Sequence, residues 1–342
     1  MQTRLLGTET IAGRKKAVAA AVELLRKGEV VALPTETVYG LAADALKPVA
    51  VAKVFEAKKR PRFDPLIVHL PSRDWLDKVG NVSSQDRQLI SKLADKFWPG
   101  PFTMVLPKRE IVPEIVTAGL DTVAVRISAH PVFAEIVREL NYPLAAPSAN
   151  RFGRVSPTTA QHVVDELGGR IPLIIDAGPT RHGIESTIVA VREDSIGVLR
   201  RGPITAERLS EFAKIHIVAP ARKVSAPGQF PSHYAPKTPL RLIDNAETIS
   251  PEKNQRVGLL AWGQRRTRDR RALKFVAVRN LSERQDLREA AANLFRYLRE
   301  LDQSELDLII AERVPSRGLG AAILDRLERA SHDPSVAPGM PE

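Results

Sequence analysis

The sequence has no cysteine among its 342 residues. A chain without thiols cannot carry disulfides, thiolate metal sites or cysteine nucleophiles, and this composition is typical of a reducing compartment. Apolar runs are short as well, since none approaches the roughly 18 residues of a membrane-spanning helix. The N-terminal stretch MQTRLLGTETIAGRKK lacks the apolar core of a signal peptide. We therefore expect a soluble cytoplasmic protein.

Several nucleotide-binding and catalytic motifs are also missing. The sequence contains no G-x-x-x-x-G-K-[ST], no H-E-x-x-H and no G-x-S-x-G, which excludes the P-loop, the helical zinc motif and the serine elbow. The two glycines of RGLGAAILDRL are too few for the G-x-G-x-x-G dinucleotide motif. Aromatic residues make up only 5% of the chain, which argues against a base-stacking platform for single-stranded nucleic acid.

Positive charge is what the sequence has in excess. The formal net charge is +11 and the pI is near 10.0. Such a balance favours anionic partners such as phosphates, nucleotides or nucleic acid, and a generally basic surface explains it equally well. Hydrophobic residues amount to 43%, which is enough to build cores, and the length suits roughly two domains.

The order of apolar segments predicts an α/β protein with two domains. Residues 1–219 mix strands and helices without strict alternation, which indicates a twisted mixed sheet. Residues 220–239 contain several prolines and no apolar periodicity, so we interpret them as a linker. In residues 240–342 strands alternate with helices, which predicts a small, open, Rossmann-like parallel sheet. The tail after Ser331 is expected to be loose.

Four groups of polar residues lie at predicted strand ends or in loops, where functional groups concentrate. The first, PTETVYG, follows the apolar run VVAL. Its Thr35 and Thr37 offer hydroxyls to a small polar ligand, or they serve only to turn the chain out of the strand. The second is the cationic loop of AKKRPRFDPLIVHL, formed by Lys58, Lys59, Arg60 and Arg62.

A cationic loop suits phosphate oxygens, because arginine can bind two of them at once. A solvated charged loop is the alternative explanation. His69 lies in the apolar strand after this loop, where a histidine is more often a core residue than a catalyst. Asp64 precedes Pro65, so its backbone is biased towards extended geometry.

The third group combines TVAVRIS with APSANRFGRVSPTT. Arg126 falls inside an alternating strand, where a charge is costly unless it faces a partner or a ligand. Ser148, Asn150 and Ser156 follow a strand in a loop that can present N–H groups to an anion. N-capping of the next helix by Ser156 or Thr158 is the alternative.

The fourth group combines GIESTIV with VLRRGPI. Ser186 and Thr187 begin one predicted strand, and Arg200 and Arg201 end the next. If the two strands form a hairpin, the hydroxyls and the guanidinium groups lie at the same end of the sheet.

Taken together, these groups resemble the YrdC family of threonylcarbamoyl-AMP synthases, in its long two-domain form. The resemblance implies a YrdC-like fold for the first domain. It covers nearly all of that domain, in family order, and extends to the linker APGQFPSHYAP and to RGLGAAILDRLERA. The matching stretches of the first domain are PTETVYGLAADA, AKKRPRFDPLIVH, WPGPFT, VAVRIS, APSANRFGRVSPTTA, ESTIV and LRRGPI.

The resemblance implies a reaction in which L-threonine, bicarbonate and ATP give threonylcarbamoyl-AMP and pyrophosphate. It also implies a magnesium ion that arrives with the ATP phosphates, and no dedicated metal site. A downstream transferase complex would then move the threonylcarbamoyl group onto the adenosine beside the anticodon of certain tRNAs.

The resemblance also implies a set of site residues. The threonine-binding positions are Thr35, Thr37, His69, Arg126, Ala146 and Ser186. The ATP-binding positions are Arg60, Asp64, Thr122, Ser148, Ser156, Arg200 and Tyr234. The residues expected to stabilise phosphate charge as catalytic groups are Lys58, Arg60 and Arg200. Asp64 stands where the family often has asparagine, and at Ala146 any contact must come from the backbone.

Closure of the site is expected from the linker, with Tyr234 folding over the nucleotide.

A competing hypothesis is a non-catalytic module that binds double-stranded RNA or the ribosome, because a basic α/β surface can bind RNA by its shape. A third is the related carbamoyl-adenylate transferase of hydrogenase maturation, which the lack of cysteines and of its extra modules argues against. The role of the second domain stays open.

Overall fold

The computed structural model describes residues 2–61, 63–192, 195–218, 234–246, 252, 254–264 and 275–331. The chain divides into two compact units. The first unit comprises Met1–Phe152, Pro157–Arg181 and Glu185–Gln229, and the second comprises Gly153–Ser156, His182–Ile184 and Phe230–Glu342. Residues 219–233, most of the linker predicted over 220–239, lie outside the described residues. The domain boundaries at 219 and 240, and the closing linker, therefore stay predictions.

The first unit is built on a mixed sheet that has 11 strands within the described residues. Their order across the sheet is β1-β8-β2-β3-β7-β4-β6-β5-β9-β10-β11. The strands are β1 (Arg4–Gly7), β2 (Val31–Leu33), β3 (Gly40–Asp44), β4 (Ile67–His69), β5 (Phe102–Pro107), β6 (Thr122–Arg126), β7 (Leu144–Ala145), β8 (Leu173–Asp176), β9 (Thr187–Arg192), β10 (Ser195–Arg200) and β11 (Lys214–Ile217).

Helices cover the sheet and begin where the sequence supplies N-caps or prolines. Thr10, Ser83 and Thr159 each accept a backbone hydrogen bond at a helix start, and prolines occupy the first turn of two helices. The helices are α1 (Ile11–Arg26), α2 (Pro48–Lys58), α3 (Leu76–Val79), α4 (Ser84–Phe97), α5 (Glu114–Thr117), α6 (Pro131–Leu140), α7 (Ala160–Leu167) and α8 (Ala206–Leu209).

Most of the core of the first unit belongs to two apolar clusters, and a smaller third cluster contains Ile67, Ala124 and Ile188. Val31 and Leu33 of β2 belong to the cluster beneath α1 and α6, whereas Ala32 between them belongs to the cluster that includes residues of α2 and α4. Successive side chains of a strand point to opposite faces, so one short strand contributes to both clusters. This burial on two sides is the reason that VVAL is apolar throughout.

The second unit contains a four-stranded parallel sheet in the order β12-β15-β13-β14. Its strands are β12 (Leu240–Ile243), β13 (Val257–Ala261), β14 (Ala277–Asn280) and β15 (Leu308–Glu312), and its described helices are α9 (Leu287–Asp302) and α10 (Leu319–Ala330). The prediction of an α/β protein with a mixed sheet and a second, parallel sheet is confirmed.

Some elements differ from the sequence-based expectations. The apolar patterns of the sequence do not reveal the strands β1, β3 and β11. Short segments of this kind depend on strand partners far away in the sequence, as β1 does on β8. Among the described residues, no helix is both long enough and apolar enough to cross a membrane.

Candidate active site

The PTETVYG segment forms the connection between β2 and β3, which pair as antiparallel neighbours. The hydroxyl of Thr35 accepts hydrogen bonds from the backbone N–H groups of Thr37 and Val38, at 3.1 and 3.2 Å, and contacts the Val38 carbonyl at 2.6 Å. It also lies 2.8 Å from the hydroxyl of Thr37. Thr35 therefore shapes the loop and positions Thr37, and both expected hydroxyls are buried there.

Arg126, at the end of β6, lies beneath this loop and forms a buried ion pair with Glu36. Its Nη2 is 2.6 Å from Glu36 Oε1, its Nη1 donates to the Thr37 hydroxyl at 3.1 Å, and its Nε donates to the Gly100 carbonyl at 3.2 Å. The second carboxylate oxygen of Glu36 accepts from Ser128 Oγ at 2.6 Å. The partner that a charge in this strand requires is thus Glu36, which sequence reasoning missed.

The environment keeps Glu36 charged. Burial raises the pKa of the Glu36 carboxyl, but the Arg126 guanidinium and the Ser128 hydroxyl oppose that effect and lower the pKa to about 2. A buried charge pair needs such additional hydrogen bonds to offset its desolvation. A clue in the sequence was available, because Glu36 stands between the two threonines and is the one acid in that loop.

His69 lies beside Arg126 in the neighbouring parallel strand β4. Its ring packs against Phe133 with centroids 4.6 Å apart, and its Nδ1 has no hydrogen-bond partner among the described residues. Burial, and then the charge of Arg126, lower the pKa of His69 to about 3. The imidazole is therefore neutral at physiological pH, with a ring nitrogen available to a ligand.

Ser186 and Arg200 come together as the hairpin hypothesis predicted, because β9 and β10 are antiparallel neighbours. Arg200 donates from Nη2 to the Ser186 hydroxyl and from Nε to its carbonyl, both at 3.0 Å. A register shift between Val198 and Arg200 marks a β-bulge in β10. The Ser186 hydroxyl also lies 2.8 Å from that of Thr103, and Thr103 pairs with Arg126 across β5 and β6.

Lys58, the last residue of α2, reaches into the loop that follows β7. Its Nζ donates to the carbonyl oxygens of Ser148 and Asn150, both at 2.5 Å. Burial, and then the charge of Arg60, lower the pKa of Lys58 well below its usual value. The geometry therefore gives Lys58 a positioning role in the loop that carries Ser148.

Arg60 is bound to the segment that follows it. Its Nη2 lies 2.7 Å from Asp64 Oδ2, and it donates to the carbonyls of Asp64 and Pro65 at 3.2 and 2.8 Å. Neither carboxylate oxygen of Asp64 accepts a well-directed hydrogen bond from the described residues. The interaction between the two side chains is therefore mainly one of charge.

The Asp64 carboxylate is buried and feels three positive charges. Burial raises the pKa of Asp64, and the charges of Arg60, Lys58 and Arg200, in that order, partly oppose the effect. The three residues predicted to handle phosphate charge thus act on one point of the first unit. We call Lys58, Arg60, Asp64 and Arg200 the cation cluster.

Asp64 and Arg126 lie at opposite ends of adjacent parallel strands, whereas Arg200 lies level with Arg126, because its partner Ile188 pairs with Thr103, which pairs with Arg126. Asp64 precedes β4, whereas His69 and Arg126 end the parallel strands β4 and β6. Thr122 begins β6, four residues before Arg126, which corresponds to about 13 Å of extended strand. Thr122 is thus at the same end of these strands as Asp64, and its contact with a nucleotide stays a prediction.

Three predicted positions need separate description. The backbone N–H of Ala146 donates to the Ile67 carbonyl at 3.0 Å, so a ligand contact there would have to use the Ala146 carbonyl. Ser156 belongs to the second unit, as does Tyr234. The Tyr234 ring is buried and stacks on Phe295, with centroids 5.4 Å apart. Nucleotide binding by Ser156 and Tyr234, and closure by Tyr234, stay predictions.

The described residues contain no group of three or more histidine, aspartate or glutamate side chains that could hold a metal ion. Asp64 is the acidic residue nearest to the cations that we expect to meet phosphate. Its engagement with Arg60 makes it a poor candidate for a resident metal site.

Comparisons with known proteins agree over both units. The family profile described as "Telomere recombination" (Sua5, YciO and YrdC) matches residues 23–202. The profile described as "Threonylcarbamoyl-AMP synthase, C-terminal domain" matches residues 204–332. The first profile alone spans more than half of the chain.

Two curated relatives are similar over nearly their whole length. A threonylcarbamoyl-AMP synthase of Pyrococcus abyssi is 38% identical, covering 92% of this chain and 94% of the relative. One of Bacillus subtilis is 39% identical, covering 95% of each. The crystal structure of P. abyssi Sua5 complexed with L-threonine matches with a TM-score of 0.86 and 37% identity, covering 96% of this chain and 98% of that one. The chain belongs to the Sua5/YrdC family of threonylcarbamoyl-AMP synthases, in its two-domain form.

Proposed function

We propose that this chain is a nucleotidyltransferase that makes threonylcarbamoyl-AMP and pyrophosphate from L-threonine, bicarbonate and ATP. The supporting observation is that the first unit contains two charged regions of different kinds. Glu36 and Arg126 offer a balanced ion pair to an amino acid, and the cation cluster offers excess positive charge to phosphates. Relatives that are 38% and 39% identical over most of this chain bear the name of this activity.

The chemistry requires positioning more than covalent participation. The amine of threonine combines with bicarbonate to give a carbamate, with loss of water. A carbamate oxygen then attacks the α-phosphorus of ATP, and pyrophosphate leaves. No enzyme nucleophile is needed, which is consistent with a chain that lacks cysteine and the serine elbow. Catalysis of this kind depends on alignment of the reactants and on stabilisation of phosphate charge.

The site residues divide between the two substrates. Arg126 binds the threonine carboxylate, while Thr37, His69, Ser186 and the Ala146 backbone complete that pocket with Thr35 behind them. Arg60 and Arg200 stabilise the charge that develops on the phosphates, and Lys58 holds the loop of Ser148 in place. The nucleotide positions of this proposal are Arg60, Asp64, Thr122, Ser148, Ser156, Arg200 and Tyr234.

The remaining partners follow from the reaction. Magnesium would enter with ATP, coordinated by phosphate oxygens and water, as is usual for this ion. The unstable adenylate calls for a downstream transferase that carries the threonylcarbamoyl group to tRNA. We place this reaction in the cytoplasm. We include direct RNA binding by the basic surface as an addition to the enzyme activity, and the family match does not favour RNA binding in its place.

The decisive experiment measures pyrophosphate release from ATP in the presence of magnesium, with and without L-threonine and bicarbonate. Labelled bicarbonate is followed in the same reaction. We expect release that depends on both substrates, with acid-labile label in an AMP adduct. Release that ignores threonine would indicate a different acceptor. Folded protein that releases no pyrophosphate but binds RNA with strong salt dependence would overturn the proposal.

A further inference from the structure

The Glu36–Arg126 pair retains hydrogen-bonding capacity on both partners. A guanidinium has five N–H groups, and Arg126 uses three of them for Glu36, Thr37 and Gly100. Two therefore remain, which is the number that a bidentate carboxylate needs. Each carboxylate oxygen of Glu36 accepts one side-chain hydrogen bond and the Glu36 backbone N–H adds a further one, whereas a carboxylate has about four acceptor sites.

The charges of Glu36, Arg126 and His69 sum to zero before any ligand binds, and Arg200, which donates to the Ser186 hydroxyl, is a further cation beside them. Arg126 contributes one positive charge, Glu36 contributes one negative charge because its pKa is lowered to about 2, and His69 is neutral because its pKa is lowered to about 3. A free carboxylic acid would add an unbalanced negative charge to this buried place, at a high desolvation cost. An amino-acid zwitterion adds none.

We propose that Glu36 binds the α-ammonium group of threonine while Arg126 binds its carboxylate, so that Glu36 determines specificity for an amino acid. This inference rests on the proposed function and extends it to a residue outside the set that the family resemblance supplies. The ion pair matches the zwitterion group by group. Its partners lie 2.6 Å apart, so the ammonium and the carboxylate of one amino acid can meet them together.

A purely positioning role for Glu36 makes a different prediction. If Glu36 only held Arg126 in place, its loss would weaken every ligand that uses the Arg126 guanidinium. If it binds the ammonium, its loss weakens only ligands that carry an amine. Threonine and (R)-β-hydroxybutyrate separate these cases, because the second compound keeps the carboxylate and the hydroxyl but lacks the amino group.

The test uses the full chain and titration calorimetry in the presence of α,β-methylene ATP. For Glu36→Gln, we expect threonine to bind roughly 10- to 100-fold more weakly, the range for loss of one charge-assisted hydrogen bond. Binding of (R)-β-hydroxybutyrate should stay unchanged or become tighter. The matched control is Glu135→Gln, which removes the partner of a half-exposed ion pair with Arg14 and should leave both affinities unchanged.

Equal weakening of both ligands in Glu36→Gln would overturn the inference and leave the proposed function intact. Absence of threonine binding by the unaltered chain would instead overturn the proposed function and the inference with it. A thermal melt shows whether Glu36→Gln folds. If it does not, the affinities of the unaltered chain for threonine and (R)-β-hydroxybutyrate still test the inference. A preference for threonine of at least about tenfold over (R)-β-hydroxybutyrate supports the role of Glu36, and equal affinities overturn it.

Discussion

The amino-acid pocket and the cation cluster show opposite electrostatic designs within one unit. In the pocket, the buried Glu36 and Arg126 are paired and hydrogen-bonded, and the pKa of Glu36 is lowered to about 2. In the cluster, the charges of Arg60, Lys58 and Arg200 act on Asp64, whose pKa is raised by its burial. The Glu36–Arg126 pair is thus balanced without a ligand, whereas Asp64 meets more than one positive charge. We infer that the first region suits a zwitterion and the second suits a polyanion.

The largest effect is expected when Arg126, the cation of the amino-acid pocket, is removed. Arg126→Ala leaves Glu36 buried without its partner, so we expect the free energy of unfolding to fall by about 3–5 kcal/mol. The threonine requirement should rise sharply while ATP binding stays nearly intact. Urea unfolding and steady-state kinetics in both substrates measure these effects.

The double variant Arg126→Ala, Glu36→Ala provides the control for that experiment. Once both charges are removed, no buried carboxylate is left without a cation. We expect the double variant to be more stable than Arg126→Ala alone. If the losses of unfolding free energy from the two single substitutions add up in the double variant, the two charges do not stabilise each other.

The second test concerns the neutrality of His69. Its pKa is about 3 in the folded protein against an ordinary value of 6.5, so the unfolded chain binds the proton first. The stabilisation is complete above pH 6.5 and is lost as the pH falls towards 3. Between pH 6.5 and 4.5 we expect His69 to account for a loss of about 2 kcal/mol of unfolding free energy.

His69→Gln removes that titrating group and keeps a polar side chain. Urea unfolding of both proteins at several pH values isolates the contribution of His69, because every other group titrates in both. The variant should show a shallower acid dependence in this window. Parallel curves would mean that the folded and unfolded chains bind the His69 proton equally, so that burial does not lower its pKa.

The third test removes a cation from the cluster. For Arg60→Ala we expect ATP affinity to fall roughly 10- to 100-fold, as for other charge-assisted contacts, with threonine affinity little changed. Equilibrium titrations with each ligand measure this. Equal effects on threonine and ATP would contradict the division of the site into two regions.

The smallest effect is expected from Asp64→Asn. This change removes the negative charge among three cations, so ATP should bind about fivefold more tightly, or on the order of 1 kcal/mol. The gain should shrink as salt is added. A loss of ATP affinity would mean instead that the carboxylate contacts the nucleotide or the metal ion that it brings.

The sequence predicts the fold well where the signal is local. Apolar runs such as that of β2 and the amphipathic segments of α1 and α9 are visible in the residues themselves. The strand β3 was not predicted, because its sequence, GLAAD, consists mainly of small residues and ends in a buried aspartate. Its strand conformation depends on pairing with β2 and β7, which no local pattern reveals.

The candidate site was also predictable only where a local pattern in the sequence indicated it. The position of Arg126 in an alternating strand showed that it needed a partner, and the hairpin pattern brought Ser186 and Arg200 together. The identity of that partner was not visible, because Glu36 lies 90 residues away in the chain. Family resemblance did not supply it either, since it named the threonines on both sides of Glu36.

Because of the β-bulge before Arg200, the orientation of this side chain depends on the number of residues in β10 as well as on their types. Side chains alternate along a strand, so a shift of one residue turns the following side chain to the opposite face. Deleting one residue within β10 would therefore misdirect an unchanged arginine, even though every residue type of the site was still present. A protein engineer who transplants this site must copy the spacing of β10 together with its residues.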